Sequence, residues 1–176
     1  MKLQISKLDA ARRQLETAIR LYFSQCDPVS IHTLISAAYN VLRDINKKLG
    51  GDKLLMKDGL IERVKEGHEK EAWQLINKAE NFFKHADKDH EEILEFNPNH
   101  SEYLMWEACA IYVELTSESP PLFKLYHSWF IAHHQNLFIL KEDEKIALAL
   151  GSEEILQTGK EQFLNMVLPI LTKINT

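Results

Sequence analysis

The segment Asn81-Phe-Phe-Lys-His-Ala-Asp-Lys-Asp89 concentrates the side chains of this 176-residue chain that are best suited to chemistry. Asn81 and His85 are four residues apart, so on a helix their side chains lie one turn apart on the same face. An imidazole transfers protons near neutral pH, Lys78 and Lys84 flank this pair, and the excess of lysine and arginine in the first half of the chain allows a phosphate to bind locally. The candidate catalytic residues are therefore His85, Asn81, Lys84 and Lys78. A histidine near a helix C-terminus also interacts favourably with the helix dipole, which is a structural alternative.

The same segment offers ligands for a metal ion. His85, Asp87, Asp89 and His90 are close together in the sequence, and imidazole and carboxylate groups are common ligands of divalent metals. The chain lacks His-Glu-x-x-His and Cys-x-x-Cys motifs, and Glu92 stands where an EF-hand beginning at Asp87 would need glycine. A metal site at these four residues is an alternative to phosphate chemistry. No organic cofactor is expected.

Helices must position this segment, because apolar residues recur at three- and four-residue spacing along most of the chain. One apolar stripe runs from Leu8 to Phe23 and a second from Ile31 to Leu49, where Gly50-Gly51 ends the helix. A short turn at Asp27-Pro28 separates these two stripes and predicts an antiparallel helical hairpin. A third long helix is predicted from Glu69 to Ala86, with Asn81 and His85 on its polar flank.

The second half of the chain repeats this pattern. Further helices are predicted from Asn99, over residues 121–138, in a short stretch ending at Gly151, and from Ser152 onwards. No segment alternates apolar and polar residues as a strand would. We therefore expect an all-α fold, an irregular up-down bundle of five to seven helices that forms a single domain over residues 1–176.

Two groups of side chains outside the segment allow more than one interpretation. His32 aligns with Ser36, Tyr39 and Arg43 on the second helix, either as part of a ligand pocket, as an exposed flank, or as a hydrogen-bonded interior histidine. The aromatic side chains recur at helical spacing, which is typical of core positions. We therefore expect the three tryptophans to fill the core: Trp73, Trp106 and Trp129.

The pair Asn81 and His85 gives the chain a resemblance to a known family. Proteins of the HEPN family are helical bundles that carry the pattern Arg-Asn-x-x-x-His, and this chain matches it at the asparagine and the histidine. Glu80 stands in the position of the arginine, and Lys78 is the cation that could substitute for it in part. The resemblance implies metal-independent RNA cleavage with His85 as the proton-transferring residue, and pairing of two copies through helix faces.

Three segments also resemble uncharacterised bacterial all-α proteins. They are Ala10–Ile19, Asp27–Leu34 and Asn81–Asp87. No activity is implied by this second resemblance.

Composition and charge limit the location and the partners. The longest apolar run, Ala108–Val113, is far shorter than the ~20 residues that span a bilayer, and no signal-peptide pattern opens the chain. The two cysteines show no paired pattern, so a cytoplasmic protein without membrane contact is expected. The first 90 residues hold 16 Lys and Arg against 13 Asp and Glu, whereas residues 91–176 hold 5 against 13. This balance argues against non-specific DNA binding and leaves RNA as a partner of the first half.

The sequence therefore predicts a binding or interaction module without catalysis, in the form of a degenerate HEPN-like domain that binds a protein partner or a second copy of itself. Glu80 supports this choice, because a carboxylate near the phosphate would oppose cleavage. The alternatives are a HEPN-type endoribonuclease that uses His85, and a helical bundle that binds a metal ion or a small ligand.

Overall fold

The computed structural model describes residues 2–87, 90–138 and 153–174, and within these ranges the protein is all-α, without strands. The α-helices with defined ends are α1 (Lys7–Phe23), α2 (Pro28–Lys48), α3 (Glu69–Ile76), α4 (Lys78–Lys84), α5 (His100–Thr116), α6 (Pro121–His133) and α7 (Lys160–Ile174). A π-helical turn (Leu55–Gly59) and a 3-10 turn (Gln135–Leu137) add two short elements. Residues 153–157 are also helical. The predicted all-α class is confirmed for the described residues.

The predicted number of helices is too low. The described residues contain nine helical elements with defined ends rather than five to seven. Part of the difference arises at Asn77, which ends α3 and precedes α4 where one helix was predicted from Glu69 to Ala86. The Asn77 side chain donates to the carbonyl oxygen of Trp73, and such a bond competes with the regular helical backbone. Gly151 and Ser152, where one helix was predicted to end and the next to begin, lie outside the described residues.

Helices α1 and α2 form the predicted hairpin and share the most extensive contact in the bundle. Ser6 accepts a hydrogen bond from the backbone N–H of Asp9 at the start of α1, and Asp27 accepts one from Ser30 at the start of α2. Such caps satisfy backbone donors that have no partner within the helix. Gln25, in the turn between the two helices, has a φ of 52°. This left-handed conformation is strained for a residue with a side chain.

The core lies where α5, α6 and α7 close over this hairpin. Phe23 is fully buried, and its ring contacts Tyr126, Trp129 and Phe163 at centroid distances of 6.3, 5.4 and 5.9 Å. Aromatic contacts of this kind stabilise the fold beyond the burial of their area. Helix α4 also packs against α2. The candidate residues on and after α4 therefore lie at the edge of this core. None of the described helices is both long and apolar enough to cross a membrane.

Candidate functional site

Asn81 and His85 lie at the end of α4. Asn81 is an exposed residue of the helix, whereas His85 follows its last residue and has extended dihedral angles, φ −135° and ψ 145°. The predicted helix therefore ends earlier than expected. Because the backbone of His85 leaves the helical conformation, the helix no longer fixes the relative positions of the two side chains. Phe96, beyond this end, contacts Phe83 at 5.1 Å between ring centroids, which requires the chain to turn back.

The two candidate lysines have different environments. Lys78 is exposed, whereas Lys84 pairs with Glu80, with 2.8 Å between Nζ and Oε1. Glu80 itself is buried, with 8% of its surface exposed. The carboxylate of Glu80 is thus part of the protein interior and has a structural role.

Lys57 is the second partner of Glu80 and the most deeply buried lysine of the site. Its Nζ lies 2.8 Å from Asn40 Oδ1, 2.6 Å from Asn77 Oδ1 and 3.0 Å from Glu80 Oε2. Three acceptors match the three N–H donors of an ammonium group, so burial leaves none of them unsatisfied. Lys57 lies between the helices that the sequence predicts and was not among the candidate residues. The only signal was its position directly after the apolar run Leu54-Leu55-Met56.

The ammonium groups around Glu80 keep its buried carboxylate ionised. Burial acts to raise the pKa of Glu80, but the ammonium groups of Lys84 and Lys57 outweigh it and keep that pKa below its usual value. The carboxylate is therefore ionised near neutral pH. Asn40 also donates to its Oε1, so four side chains, Asn40, Lys57, Asn77 and Glu80, form one connected buried network.

A second buried carboxylate fixes the π-helical turn that carries Lys57. Glu107 of α5 accepts hydrogen bonds from the backbone N–H groups of Leu55 and Met56 and from the Tyr39 hydroxyl, the last at 2.6 Å. Burial, followed by the bond to Glu107, raises the pKa of Tyr39, so its hydroxyl remains a donor. The turn is thereby tied to both α2 and α5.

A cleft opens beside this network. It has a volume of about 480 Å³ and lies between α2, residues 51–62 and α3. Arg43 forms one wall, with its guanidinium 4.7 Å from the centroid of the Trp73 ring and its Nη2 paired with Asp58. A second cleft of about 310 Å³ shares Arg43 and Trp73 and is also lined by Glu80 and Asn81.

The charges that line the larger cleft are nearly balanced. Arg43 pairs with Asp58, and Lys53 pairs with Glu62. On the rim, Lys47 and Asp52 have no partner of opposite charge within 4.0 Å among the described residues, although Lys47 attracts the Asp58 carboxylate at longer range. Lys47 and Asp52 are therefore the open charges of the cleft, one cation and one anion without an ion-pair partner among the described residues.

His32 and two of the three tryptophans belong to the protein interior, whereas the third tryptophan lines the clefts. His32 is buried with Nδ1 2.9 Å from Ser101 Oγ, so it is the hydrogen-bonded interior histidine among the three interpretations. Trp129 is buried as expected, and Trp106 packs against the core. The prediction for Trp73 is wrong, because this side chain lines both clefts instead of filling the core. The charged residues around it, Arg43 and Lys57, hold it at the edge of the bundle.

The alternative metal ligands lie in and after the loop that leaves α4. His85, Asp87 and His90 are exposed, and Asp89 is outside the described residues. His90 contacts its neighbour Glu91, with 3.8 Å between Nε2 and Oε1. Within the part of the chain that the structure describes, no group of three or more His, Cys, Asp or Glu side chains is arranged to hold a metal ion.

Comparison with models of protein families, with curated proteins and with solved structures gives no match to this chain.

Proposed function

We propose that the protein is a non-catalytic binding module, a degenerate HEPN-like domain that receives a small polar ligand in the cleft between α2 and α3. The observation that carries this proposal is that Arg43 and Trp73, which line this cleft, also line the smaller cleft beside the buried group of Asn40, Lys57, Asn77 and Glu80. A site whose polar side chains are already fixed loses little entropy when it binds a ligand.

The size and lining of the cleft support a small molecule. Its volume of about 480 Å³ lies within the range usual for ligand sites. Trp73 and Ile61 offer apolar surface, and charged side chains surround them. Ligand sites commonly combine an apolar lining with a few fixed polar groups.

The charge balance of the cleft indicates the kind of molecule. Arg43 and Lys53 already have carboxylate partners, and the open charges are those of Lys47 and Asp52. A polyanion would meet both paired and unpaired carboxylates, which repel it. A zwitterion, such as a free amino acid, matches one open charge of each sign.

Isothermal titration calorimetry with the free amino acids, and with ATP as a polyanion, tests this proposal. We expect at least one zwitterion to bind, with affinity lost in Arg43→Met and kept in Arg13→Met, whose arginine forms an exposed pair with Asp9 on α1. Trp73→Phe provides a milder change of the same wall. Binding of ATP alone, or equal binding by the Arg43→Met protein, would contradict the proposal.

RNA cleavage is a second candidate function, because Arg43 and Asn81 line one cleft. The HEPN pattern has an arginine where this chain has Glu80. In the cleft that Asn81 lines, the guanidinium of Arg43 supplies the missing cation. Glu80 lines the same cleft and weakens this candidate, and His85 is not part of the lining. An RNA digestion assay decides between the two functions: cleavage that His85→Ala abolishes supports the nuclease, and equal inactivity of both proteins excludes it.

A further inference from the structure

Another cavity lies at the start of α2, whereas the Arg43 cleft lies near the end of this helix. It has a volume of about 260 Å³ and is lined by residues of the α1–α2 turn, by the start of α5 and by Lys160, the first residue of α7. Gln25, the strained residue of the turn, and Cys26 are part of the lining. Strained backbone occurs preferentially at functional sites.

Glu102 is the charged centre of this region, and its carboxylate already has two close partners. Tyr22 donates its hydroxyl to Oε1 at 2.7 Å, and His134 Nε2 lies 3.2 Å from Oε2. The side chain of Glu102 is 19% exposed. Helices α1, α5 and the end of α6 thus meet at one carboxylate.

Lys160 has no comparable partner. Its Nζ lies 3.9 Å from Glu102 Oε1 and 3.6 Å from the centroid of the Tyr22 ring, and it donates no hydrogen bond to another described residue. Burial lowers the pKa of this ammonium group, against the opposing effect of Glu102. The other lysines with buried or paired amines differ, since acceptors hold them: Lys57, Lys53 and Lys84.

We propose that Lys160 is a nucleophilic lysine that condenses with small aldehydes in this cavity. A lysine that is partly withdrawn from water and not held by a hydrogen bond supplies a neutral amine more readily than an exposed one. The cavity gives an aldehyde room beside Nζ, and Glu102, with Oε1 3.9 Å from Nζ, accepts the proton that the ammonium group releases through one intervening water molecule.

The condensation uses only these groups and the aldehyde. The Nζ lone pair attacks the carbonyl carbon and forms the C–N bond, while the carbonyl oxygen takes up the proton that passed to Glu102. Loss of this hydroxyl with one of the two protons that remain on nitrogen releases one water molecule and leaves a protonated imine. Tyr22 and His134 hold the carboxylate in position through their hydrogen bonds.

Limited labelling of the whole protein with propanal and cyanoborohydride tests the proposal. Hydride reduces each imine to a stable secondary amine, and peptide mass spectrometry then gives the labelling rate of every lysine. We expect Lys160 to be labelled several times faster than exposed lysines such as Lys2, Lys47 and Lys70, and Glu102→Gln to remove this advantage. Lys70→Arg is the matched control and should leave Lys160 labelling unchanged.

Two results would overturn the proposal. One is a labelling rate of Lys160 no greater than that of the exposed lysines in the folded wild-type protein. The other is an unchanged or increased labelling rate of Lys160 in Glu102→Gln, which would show that the Glu102 carboxylate does not take the proton. Circular dichroism of each variant shows whether it is folded, and the comparison among lysines of the wild type needs no variant at all.

Discussion

Lys57 Nζ lies 3.0 Å from Glu80 Oε2, although only 2% of the lysine side chain and 10% of the glutamate side chain are exposed. Burying two charges costs free energy unless the charges pair with each other and form further hydrogen bonds. Here Asn40 and Asn77 supply the remaining acceptors of the ammonium group. The pair therefore depends on residues from α2, the π-helical turn and α4, and on Asn77, which lies between α3 and α4.

Replacing Lys57 by methionine should destabilise the protein by about 3 kcal/mol, because a buried carboxylate then loses one of its two cations. Urea denaturation of the wild type and of Lys57→Met measures the difference. The matched control is Lys53→Met, which breaks the exposed pair with Glu62 and should leave stability nearly unchanged. Equal stability of wild type and Lys57→Met would show that the buried network does not hold the cleft wall.

His32 should make stability depend on pH. Burial lowers its pKa from 6.5 to about 4, so the unfolded chain binds a proton in this interval while the folded protein does not. The stability that the neutral ring provides is complete above pH 6.5 and is lost as the pH falls from 6.5 towards 4, by about 3 kcal/mol in total.

Urea denaturation across this pH interval, with His32→Gln as the reference, measures this contribution. Carboxylates that titrate in the same interval affect both proteins alike, so the difference between the two curves reports His32. We expect the advantage of the wild type to shrink steadily with falling pH. Parallel curves would mean that the His32 ring is protonated as easily in the folded protein as in the unfolded chain.

Gly51 should be sensitive to the addition of a single methyl group. A Cβ at this position would lie 2.0 Å from Asn46 Oδ1, and Asn46 cannot move aside without losing its hydrogen bond to the Asp52 carbonyl. We expect Gly51→Ala to cost about 1–2 kcal/mol and to disturb the rim of the cleft.

Gly59→Ala is the matched control for this substitution, because the nearest atom to its Cβ would lie at an ordinary 3.5 Å. Thermal denaturation of the two variants gives the comparison. If Gly51→Ala is no less stable than Gly59→Ala, the contact between Gly51 and Asn46 does not restrict this turn.

The helices could be predicted from the sequence more readily than the cleft. Apolar spacing gave α1 and α2 with their turn at Asp27-Pro28, because one stripe of each helix packs into the core. It could not reveal that Asn77 interrupts the third helix, because the side chain of Asn77 is also bonded to Lys57, 20 residues away in sequence. Buried polar partners follow no periodic pattern, and for this reason Lys57 and Glu107 were not anticipated.

The residues that the sequence predicts for the site only partly coincide with those that line the clefts. Asn81 lines the smaller cleft, whereas His85 follows the end of α4. Glu80 was expected to disfavour a phosphate, and its pairing with Lys57 and Lys84 gives it a structural role instead. Tertiary contacts between α2 and α4 determine this role, and they cannot be inferred from spacing along one helix.

Amide NMR spectroscopy of the isotope-labelled protein, titrated with the free amino acids at millimolar concentration, tests the central claim most directly. We expect at least one of them to cause saturable shifts that are confined to residues 43–62 and 73–81 and include the Trp73 indole N–H, and that disappear in Arg43→Met. Saturable shifts elsewhere in the bundle, or none with any of these compounds, would contradict a ligand site in the Arg43 cleft.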